Sequence, residues 1–472
     1  MIKRMLLLIL SSFSLVFSSF SIASDMPDSI RGALCIVNAD DKIVLVNEIL
    51  TKKISLPGGT INPGEAPSLT AQRETWEETG LVVTVGDVLG YTDTAVIYDC
   101  VSESEIIAYE FNNDFDGNTM PIWFAPHYGV EVSSAMLLSP TKLPYERYRY
   151  PEQWDAIKTL YSASTEQSVT YVGNLIEAAP ALNQAQLSWV LTLQQTISGA
   201  PTFIKNSVGF VNTLVGQLIK PWVLLVAFPL LLWRFGKEFS YKVFFAITVT
   251  SLLSLVAQQG FSIPRPHAYM PSINMMHSYG FSFPSLPIAV WFTVFTLLLR
   301  KIEPEFKKTL VIGFGLFIAI LSVFKFYSGT ALIWDMVIGA VLGVLVAWHI
   351  IRLDTKPDVD VQTLLCSRAL WISLTLVAVV LTVIWPLPVF TEWLAVLVTA
   401  TGLVMTLDRE KQNVSLKNII SMIIVLLLLN QLILFGATFF SYSSVMSLVI
   451  ESFRFPILML TYVGCARKFS SH

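Results

Sequence analysis

The chain has 472 residues, of which 54% are hydrophobic and 14% are charged, and its mean hydropathy is +0.62. This composition excludes a soluble globular protein, because soluble chains are about 45–50% apolar and about 25% charged, and it predicts a membrane protein. A net charge of −3 gives no electrostatic basis for binding nucleic acid.

The first residues are typical of a secretory signal peptide. Lys3 and Arg4 precede a short apolar run, and small residues follow at Ser21 and Ala23. We therefore predict a signal peptide at residues 1–23, with an uncleaved membrane anchor as the alternative. Either arrangement predicts that the next domain is exported from the cytoplasm.

Residues 25–162 have the composition of a soluble domain, with mixed charges, short alternating strands, and turns rich in proline and glycine. Residues 163–218 follow as an amphipathic linker. Its apolar residues recur at helical spacing, as in Leu187, Val190 and Leu191, which predicts helices lying on or near the membrane surface.

The four cysteines form neither a CxxC pair nor a Cys/His cluster, which excludes a structural zinc site. Cys35 and Cys100 both fall in the predicted exported domain, where a disulfide is chemically permitted. The alternative is that both are small buried hydrophobic residues.

Nine apolar stretches from residue 220 onward have about the length that a helix needs to cross the hydrocarbon core. They are residues 220–235, 241–259, 285–300, 309–327, 333–352, 369–386, 391–407, 418–440 and 445–464. Connections rich in Lys and Arg alternate with connections that lack them, and the positive-inside rule places the cationic ones in the cytoplasm. The connections predicted to be exterior are residues 261–284, 327–332, 385–393 and 440–444.

This pattern predicts a multi-pass inner-membrane (plasma-membrane) protein whose soluble domain faces the periplasmic side. The membrane part is expected to be all α-helical, with about nine helices divided into residues 219–355 and residues 356–472.

A short acidic helix is predicted within the soluble domain. Residues 67–79 have helix-forming content, open with a proline, and are followed by Gly80, a residue typical of helix ends. Glu74, Glu77 and Glu78 lie at positions i, i+3 and i+4, so their carboxylates share one helix face and repel one another unless a cation intervenes. Such hard oxygen ligands suit Mg²⁺ or Mn²⁺. A solvated acidic helix face is the alternative.

The segment around this helix resembles the signature of the Nudix hydrolases. From Gly59 it reads GTINPGEAPSLTAQRETWEETGL. The family signature is glycine, five residues, glutamate, seven residues, and then Arg-Glu-U-x-Glu-Glu-x-Gly-U, where U is usually aliphatic; Thr75 at the first U is the one departure. The resemblance covers about residues 30–161 and implies a multidomain protein with an α/β/α sandwich that hydrolyses diphosphate bonds.

The resemblance also implies individual roles in the site. The implied metal ligands, with one carboxylate also a candidate base, are Glu74, Glu77, Glu78 and the backbone of Gly58. Arg73 would orient a carboxylate, and Glu65 and Gly59 would support the site. A further acidic ligand or base from a later loop stays open; the candidates are Asp99, Glu103, Glu105 and Glu131.

Three stretches lie at the exterior ends of the predicted spans: QQGFSIPRP from Gln258, PSLP from Pro284 and FKFYSGTALIWD from Phe324. They resemble the motifs of the type 2 phosphatidic acid phosphatases. That family has Lys-x6-Arg-Pro, Pro-Ser-Gly-His and Ser-Arg-x5-His-x3-Asp on one membrane face. The matching residues are Arg265, Pro266, Pro284, Ser285 and Asp335.

The catalytic letters of that family are absent from these stretches. Pro287 stands in place of the acid histidine and Ala331 in place of the nucleophilic histidine, and neither can donate a proton or attack phosphorus. Arg265, Ser285 and Lys325 can still donate hydrogen bonds to a phosphate. This half is therefore predicted to be a pseudo-enzyme that binds a phosphorylated lipid, with a simple membrane anchor as the alternative.

Taken together, these patterns predict a membrane-anchored Nudix hydrolase that uses Mg²⁺ or Mn²⁺ to cleave a small-molecule or lipid diphosphate. One alternative is a lipid phosphate or undecaprenyl diphosphate phosphatase that acts through the membrane half. The other is a non-enzymatic sensor that binds diphosphates.

Overall fold

A computed structural model describes residue 27 and residues 29–357, 360–404 and 415–470. The predicted signal peptide at residues 1–23 lies outside these ranges.

The N-terminal region contains three β-sheets. Its strands are β1 (Gly32–Ile36), β2 (Asn38–Ala39), β3 (Lys42–Glu48), β4 (Ile54–Ser55), β5 (Gly58–Thr60), β6 (Val83–Tyr91), β7 (Ala95–Ser102), β8 (Ile106–Tyr109), β9 (Asn118–Met120), β10 (Val132–Leu138), β11 (Glu166–Gln167) and β12 (Val169–Val172). One sheet has the order β5-β1-β7-β6, the second has β11-β2-β3-β10-β9 with β4 paired to β3, and the third pairs β12 with β8.

Two helices cover opposite faces of this strand layer. They are α1 (Pro67–Thr79) and α2 (Trp154–Tyr161). Because side chains alternate across a strand, Cys35 of β1 packs in the same cluster as Ala71 of α1, while Ile36 packs with Trp154 of α2. The region is therefore an α/β domain with a helix on each face.

Cys35 and Cys100 form a disulfide that joins β1 to β7. The two strands are parallel neighbours, so the cross-link lies within one sheet, on the face that α1 covers.

The predicted linker begins as part of the N-terminal domain. Strands β11 and β12 pair in parallel with β2 and β8, so the chain adds to two sheets before it leaves the domain. It then forms α3 (Ala181–Ser198) and α4 (Thr202–Leu218). Gln194 of α3 donates to the Tyr327 carbonyl at 2.6 Å, which satisfies a carbonyl at the end of a membrane helix.

The remaining region is helical. Its helices are α5 (Val223–Phe261), α6 (Leu286–Lys301), α7 (Pro304–Tyr327), α8 (Ile333–Asp354), α9 (Val361–Leu365), α10 (Arg368–Ile384), α11 (Pro388–Val404), α12 (Leu416–Thr438) and α13 (Ser444–Ser470). Within the described ranges, five of these helices are long and apolar enough to cross a membrane, namely α5, α7, α8, α12 and α13.

Within the described residues, the nine predicted apolar stretches correspond to helical segments of this region. The first two match the two parts of α5, which Gly236 separates with a non-helical φ of 79° and ψ of 174°. Glycine adopts this backbone conformation without a Cβ clash. Helices α6 and α10 have 16 and 17 residues, and at 1.5 Å per residue they reach only about 24–26 Å of a core about 30 Å thick.

Close contact between α6 and α8 depends on two small residues four positions apart. A Cβ at Gly339 would lie 2.6 Å from the Ser285 carbonyl oxygen, and one at Gly343 would lie 2.1 Å from that of Ala289. Glycines at this spacing let two helix backbones approach within a membrane. The contact holds Ser285 next to the start of α8.

The N-terminal domain rests directly on the helical region. The Tyr109 hydroxyl donates to the Ala268 carbonyl at 2.6 Å, and Arg149 Nη2 donates to Ser444 Oγ at 2.9 Å. Both partners belong to connections that the sequence predicts to be exterior. The domain and these connections therefore lie on one side of the helical region.

Candidate functional site

Helix α1 has the bounds that the sequence predicts. Pro67 occupies its first turn, and Gly80 ends it in the left-handed conformation with φ of 74°. The Gly80 N–H donates to the Trp76 carbonyl at 2.9 Å. This short helix fixes the spacing of the motif side chains.

Arg73 joins the motif glutamates. Its Nε lies 2.9 Å from Glu65 Oε1 and its Nη2 lies 3.1 Å from Oε2, a two-point contact between guanidinium and carboxylate. Its Nη1 donates to Glu74 Oε1 and to Glu77 Oε2, each at 2.8 Å. Hydrogen bonding from Arg73 lowers the pKa of Glu65 to about 2. Arg73 thus contacts the carboxylates of Glu65, Glu74 and Glu77.

The glycine loop approaches the carboxylates of Glu78 and Glu74 closely. The Gly58 N–H donates to Glu78 Oε2 at 3.0 Å. A Cβ at Gly59 would lie 2.4 Å from the carboxylate of Glu74, so only glycine fits there. Burial raises the pKa of both Glu74 and Glu78, because a buried carboxylate without a full counter-charge resists ionisation.

A residue absent from the sequence predictions, His127, also faces the acidic helix. Its backbone N–H donates to the Glu77 carbonyl at 2.7 Å, and its Nε2 lies 3.7 Å from Glu77 Oε2. Ligand atoms of Glu74, Glu77 and His127 all lie within 4.8 Å of one another. No local pattern around His127 signals this approach, since it depends on the fold of a distant loop.

Of the four later acidic candidates, only Glu131 lies at this end of the domain, with Oε2 at 3.7 Å from His127 Nδ1. The other three carboxylates accept hydrogen bonds from threonines elsewhere on the domain surface. These pairs are Asp99 with Thr165, Glu103 with Thr84, and Glu105 with Thr170.

The donor set fits a divalent cation. Carboxylates on one helix face, a loop in which only glycine fits against one of them, and a nearby imidazole provide oxygen and nitrogen donors. Oxygen donors of this kind suit Mg²⁺ and Mn²⁺.

The helical region contains a cavity of about 510 Å³ at the end that faces the N-terminal domain. Arg265, Ser285 and Lys325, the predicted phosphate-binding residues, all line it, together with Gln258. The Lys325 and Ser285 side chains are buried, and Ser285 Oγ has no hydrogen-bond partner among the described residues. The structure therefore brings together residues that lie 60 positions apart in sequence.

Backbone carbonyls hold the guanidinium of Arg265. Its Nε donates to the Tyr279 carbonyl and its Nη1 to the Thr330 carbonyl, each at 2.7 Å. Pro287 also lines this cavity, as does Thr330. Ala331, which follows Thr330 in the sequence, is buried. The two positions of the family histidines thus hold side chains without acid, base or nucleophilic groups.

The histidines of the nearby connection do not replace them. His267 is buried with Nδ1 3.4 Å from Ser278 Oγ and 3.5 Å from the Gly329 carbonyl oxygen. Burial and the charge of Arg265 lower the pKa of His267 to about 3. His277 is exposed and lies 3.8 Å from Asp114. Neither lines the cavity.

Comparisons with known proteins address the two regions separately. The NUDIX domain family model matches residues 28–159, so the chain contains a Nudix domain. No curated protein matches the chain.

Three solved structures illustrate its similarities. Aquifex aeolicus LpxE is 22% identical, with 34% of this chain and 94% of that chain covered and a TM-score of 0.29. A PAP2 type phosphatidylglycerolphosphate phosphatase from Bacillus subtilis is 19% identical, with coverage of 39% and 94% and a TM-score of 0.30. An ADP-ribose pyrophosphatase from Streptococcus suis is 19% identical, with coverage of 30% and 97% and a TM-score of 0.22.

Proposed function

We propose that this protein is a membrane-anchored hydrolase whose Nudix domain cleaves a diphosphate bond with Mg²⁺ or Mn²⁺ on the periplasmic side. One observation carries the proposal: the carboxylates of Glu74 and Glu78 lie against the Gly58–Gly59 loop, and Arg73 bonds those of Glu74 and Glu77. A small-molecule or lipid diphosphate is the substrate class.

The side chains divide the work between binding and positioning. Glu74, Glu77 and Glu78 supply negative charge for a divalent ion, which when bound polarises a phosphate group and offsets charge on the leaving phosphate. Glu65 holds Arg73 at two points. Arg73 in turn fixes the carboxylates of Glu74 and Glu77 so that their oxygens face the same space. One of the three carboxylates accepts the proton of the attacking water.

Two observations support an exterior location of the Nudix domain. The Cys35–Cys100 disulfide is the kind of bond that persists in oxidising compartments. The domain also contacts the connections that lack cationic clusters, whereas Arg300 and Lys301 lie at the far end of α6. Cleavage of the domain by a membrane-impermeant protease tests this orientation. Cleavage is compared between intact cells and cells whose outer membrane has been removed.

The full chain in detergent tests the activity. Purified protein with Mg²⁺ is incubated with nucleoside diphosphate-linked compounds and with polyprenyl diphosphates, and release of phosphate or monophosphate is measured. Glu77→Gln removes a predicted ion ligand and is expected to reduce turnover at least about 100-fold. Glu103→Gln is the matched control, because Glu103 is exposed and bonds Thr84 at another surface.

Each outcome of this assay selects one reading. Turnover by wild type that is lost in Glu77→Gln and retained in the control supports the proposal. Release of phosphate from a lipid phosphate that survives Glu77→Gln supports the phosphatase alternative, and binding of diphosphates without turnover supports the sensor.

We further propose that the cavity in the helical region is a non-catalytic binding site for a phosphorylated lipid. The observation that favours it is the buried Ser285 Oγ, which has no hydrogen-bond partner in the described part of the chain and lies beside the cations Arg265 and Lys325. Buried donors without a partner are costly unless a ligand accepts from them.

Vesicles that contain phosphatidic acid, compared with vesicles of phosphatidylcholine alone, test this site in the full chain. Lys325→Met keeps the length of the side chain and is expected to weaken binding of phosphatidic acid about 10-fold or more. Lys308→Met, at the exposed start of α7, provides the control. Equal binding by all three proteins would leave the helical region as an anchor.

A further inference from the structure

We infer that His127 is a ligand of the ion in the Nudix site, so that the site combines carboxylate oxygens with one imidazole nitrogen. The inference rests on the proposed metal-dependent function and adds a residue outside the family signature. Its basis is the position of His127 at the carboxylates, the lack of a hydrogen-bond partner for its second nitrogen, and the acidic residue that faces that nitrogen.

The separations between donor atoms suit a shared ion. Two donors that each lie about 2.1 Å from an octahedral ion are about 3.0 Å apart when adjacent and about 4.2 Å apart when opposite. His127 Nε2 and Glu77 Oε2 are 3.7 Å apart, between these values. With Glu74 included, the three donors lie within 4.8 Å, so a side-chain movement of less than 1 Å closes the set.

The backbone holds His127 in this position. Its N–H donates to the Glu77 carbonyl at 2.7 Å, and its own carbonyl accepts from the N–H groups of Val130 and Glu131. These bonds fix the loop against the C-terminal half of α1. The imidazole therefore approaches the carboxylates because of the main chain and needs no ion pair to place it.

The other ring nitrogen has the surroundings of a histidine that binds a metal. His127 Nδ1 is buried and has no hydrogen-bond partner among the described residues. Glu131 Oε2 lies 3.7 Å from it. Histidines that bind a metal through one nitrogen commonly donate the other N–H to a carboxylate, which fixes the ring orientation. Glu131 can therefore orient the imidazole ring, which the main chain places but does not orient, once its carboxylate moves within hydrogen-bond distance of Nδ1.

Arg73 currently lies between two of the proposed ligands. Its Nη1 is 2.8 Å from both Glu74 Oε1 and Glu77 Oε2, where it supplies positive charge. Its two bonds to Glu65 use Nε and Nη2 and not Nη1. Arg73 therefore stays bonded to Glu65 when a cation displaces Nη1 from between Glu74 and Glu77.

A nitrogen ligand changes the expected metal preference. Mg²⁺ favours oxygen donors, whereas imidazole suits transition metals and Mn²⁺ accepts both kinds of donor. His127 is therefore expected to favour Mn²⁺ over Mg²⁺ in this site, independently of which diphosphate is hydrolysed.

Pulsed electron paramagnetic resonance of tag-free, full-length protein loaded with Mn²⁺ tests the assignment without an activity assay. Wild type is expected to show ¹⁴N coupling from a directly bound imidazole, and His127→Gln is expected to lose it. Calorimetry is expected to show about 10-fold weaker Mn²⁺ binding in His127→Gln, with a smaller change for Mg²⁺. His277→Gln, which changes an exposed histidine outside the site, should match wild type.

The second variant separates ligation from positioning. Glu131→Gln is expected to keep the ¹⁴N coupling and to weaken Mn²⁺ binding less than His127→Gln does. Bound Mn²⁺ without ¹⁴N coupling in wild type would overturn the assignment of His127 and leave the proposed hydrolase intact. Absence of bound Mn²⁺ would overturn both.

Discussion

The Nudix domain and the helical region each bring charged side chains together at one place, but the two groups of side chains differ in the chemistry they can perform. In the Nudix domain, Arg73 bonds three motif glutamates and Glu78 bonds the glycine loop. In the helical region, Arg265 and Lys325 line a cavity together with Pro287. Pro287 and Ala331 take the histidine positions of the resembled family.

This difference separates binding from turnover. Holding a phosphate requires donors and positive charge, which both regions supply. Breaking a bond to phosphorus also requires a group that attacks, activates water or donates a proton. On this reasoning, the Nudix domain would carry a site that hydrolyses its ligand, and the helical region would carry a site that only binds one. The following changes test whether the two regions differ in this way.

The largest effect is expected from Glu78→Gln. Glutamine can still accept from the Gly58 N–H but loses the negative charge, so turnover of a diphosphate should fall about 10²- to 10⁴-fold. Because Glu78 is buried, removal of its charge should leave the melting temperature unchanged or raise it. Steady-state kinetics and thermal unfolding check both signs. Full activity in this variant would move the chemistry out of the Nudix domain.

The next effect concerns the disulfide. Replacing Cys35 and Cys100 together with serine should destabilise the Nudix domain by about 2–4 kcal/mol, the usual size for a native cross-link. Cys465→Ser in α13 is the control, because Cys465 is not disulfide-bonded. Chemical unfolding followed by tryptophan fluorescence measures the difference. Equal unfolding of the double variant and the control would contradict the structural role of the cross-link.

A smaller effect is expected from packing in the helical region. Gly343→Ala places a Cβ 2.1 Å from the Ala289 carbonyl oxygen, so α6 and α8 have to separate. We expect a loss of about 1–3 kcal/mol together with weaker binding of phosphatidic acid vesicles, since α6 begins at the cavity. Gly402→Ala, where a Cβ meets open space, is the control. Unfolding in detergent that is the same for both variants would refute the tight contact.

The smallest effect is expected at the contact between the two regions. Arg149 bonds Ser444 Oγ and the Tyr442 carbonyl and also pairs with Glu48 at 3.0 Å. Arg149→Ala should weaken docking by about 1 kcal/mol and increase protease cleavage between the regions, while turnover stays at the wild-type rate. Unchanged cleavage would mean that the other contacts suffice.

Local patterns predicted the acidic helix closely. Proline at the start and Gly80 at the end gave bounds that the structure reproduces, because helix ends depend on residues within one turn. The motif also indicated that Arg73 orients a carboxylate, but it did not indicate that Arg73 bonds Glu65. By contrast, His127 reaches Glu77 only through the path of a loop about 50 residues later, which no periodicity encodes.

The helical region shows the same limit. Apolar content located the helices, including the two parts of α5 that Gly236 separates. It does not reveal which helices touch. The cavity residues Arg265 and Lys325 were identified from a motif resemblance, and their proximity depends on contacts between segments far apart in sequence.

Strands β11 and β12 have a practical consequence for dissecting the protein. A fragment that stops at residue 162, the boundary expected from composition, would strip β2 and β8 of their parallel partners. Bare strand edges template pairing with other chains and promote aggregation. An expression clone of the N-terminal domain should therefore continue to residue 173.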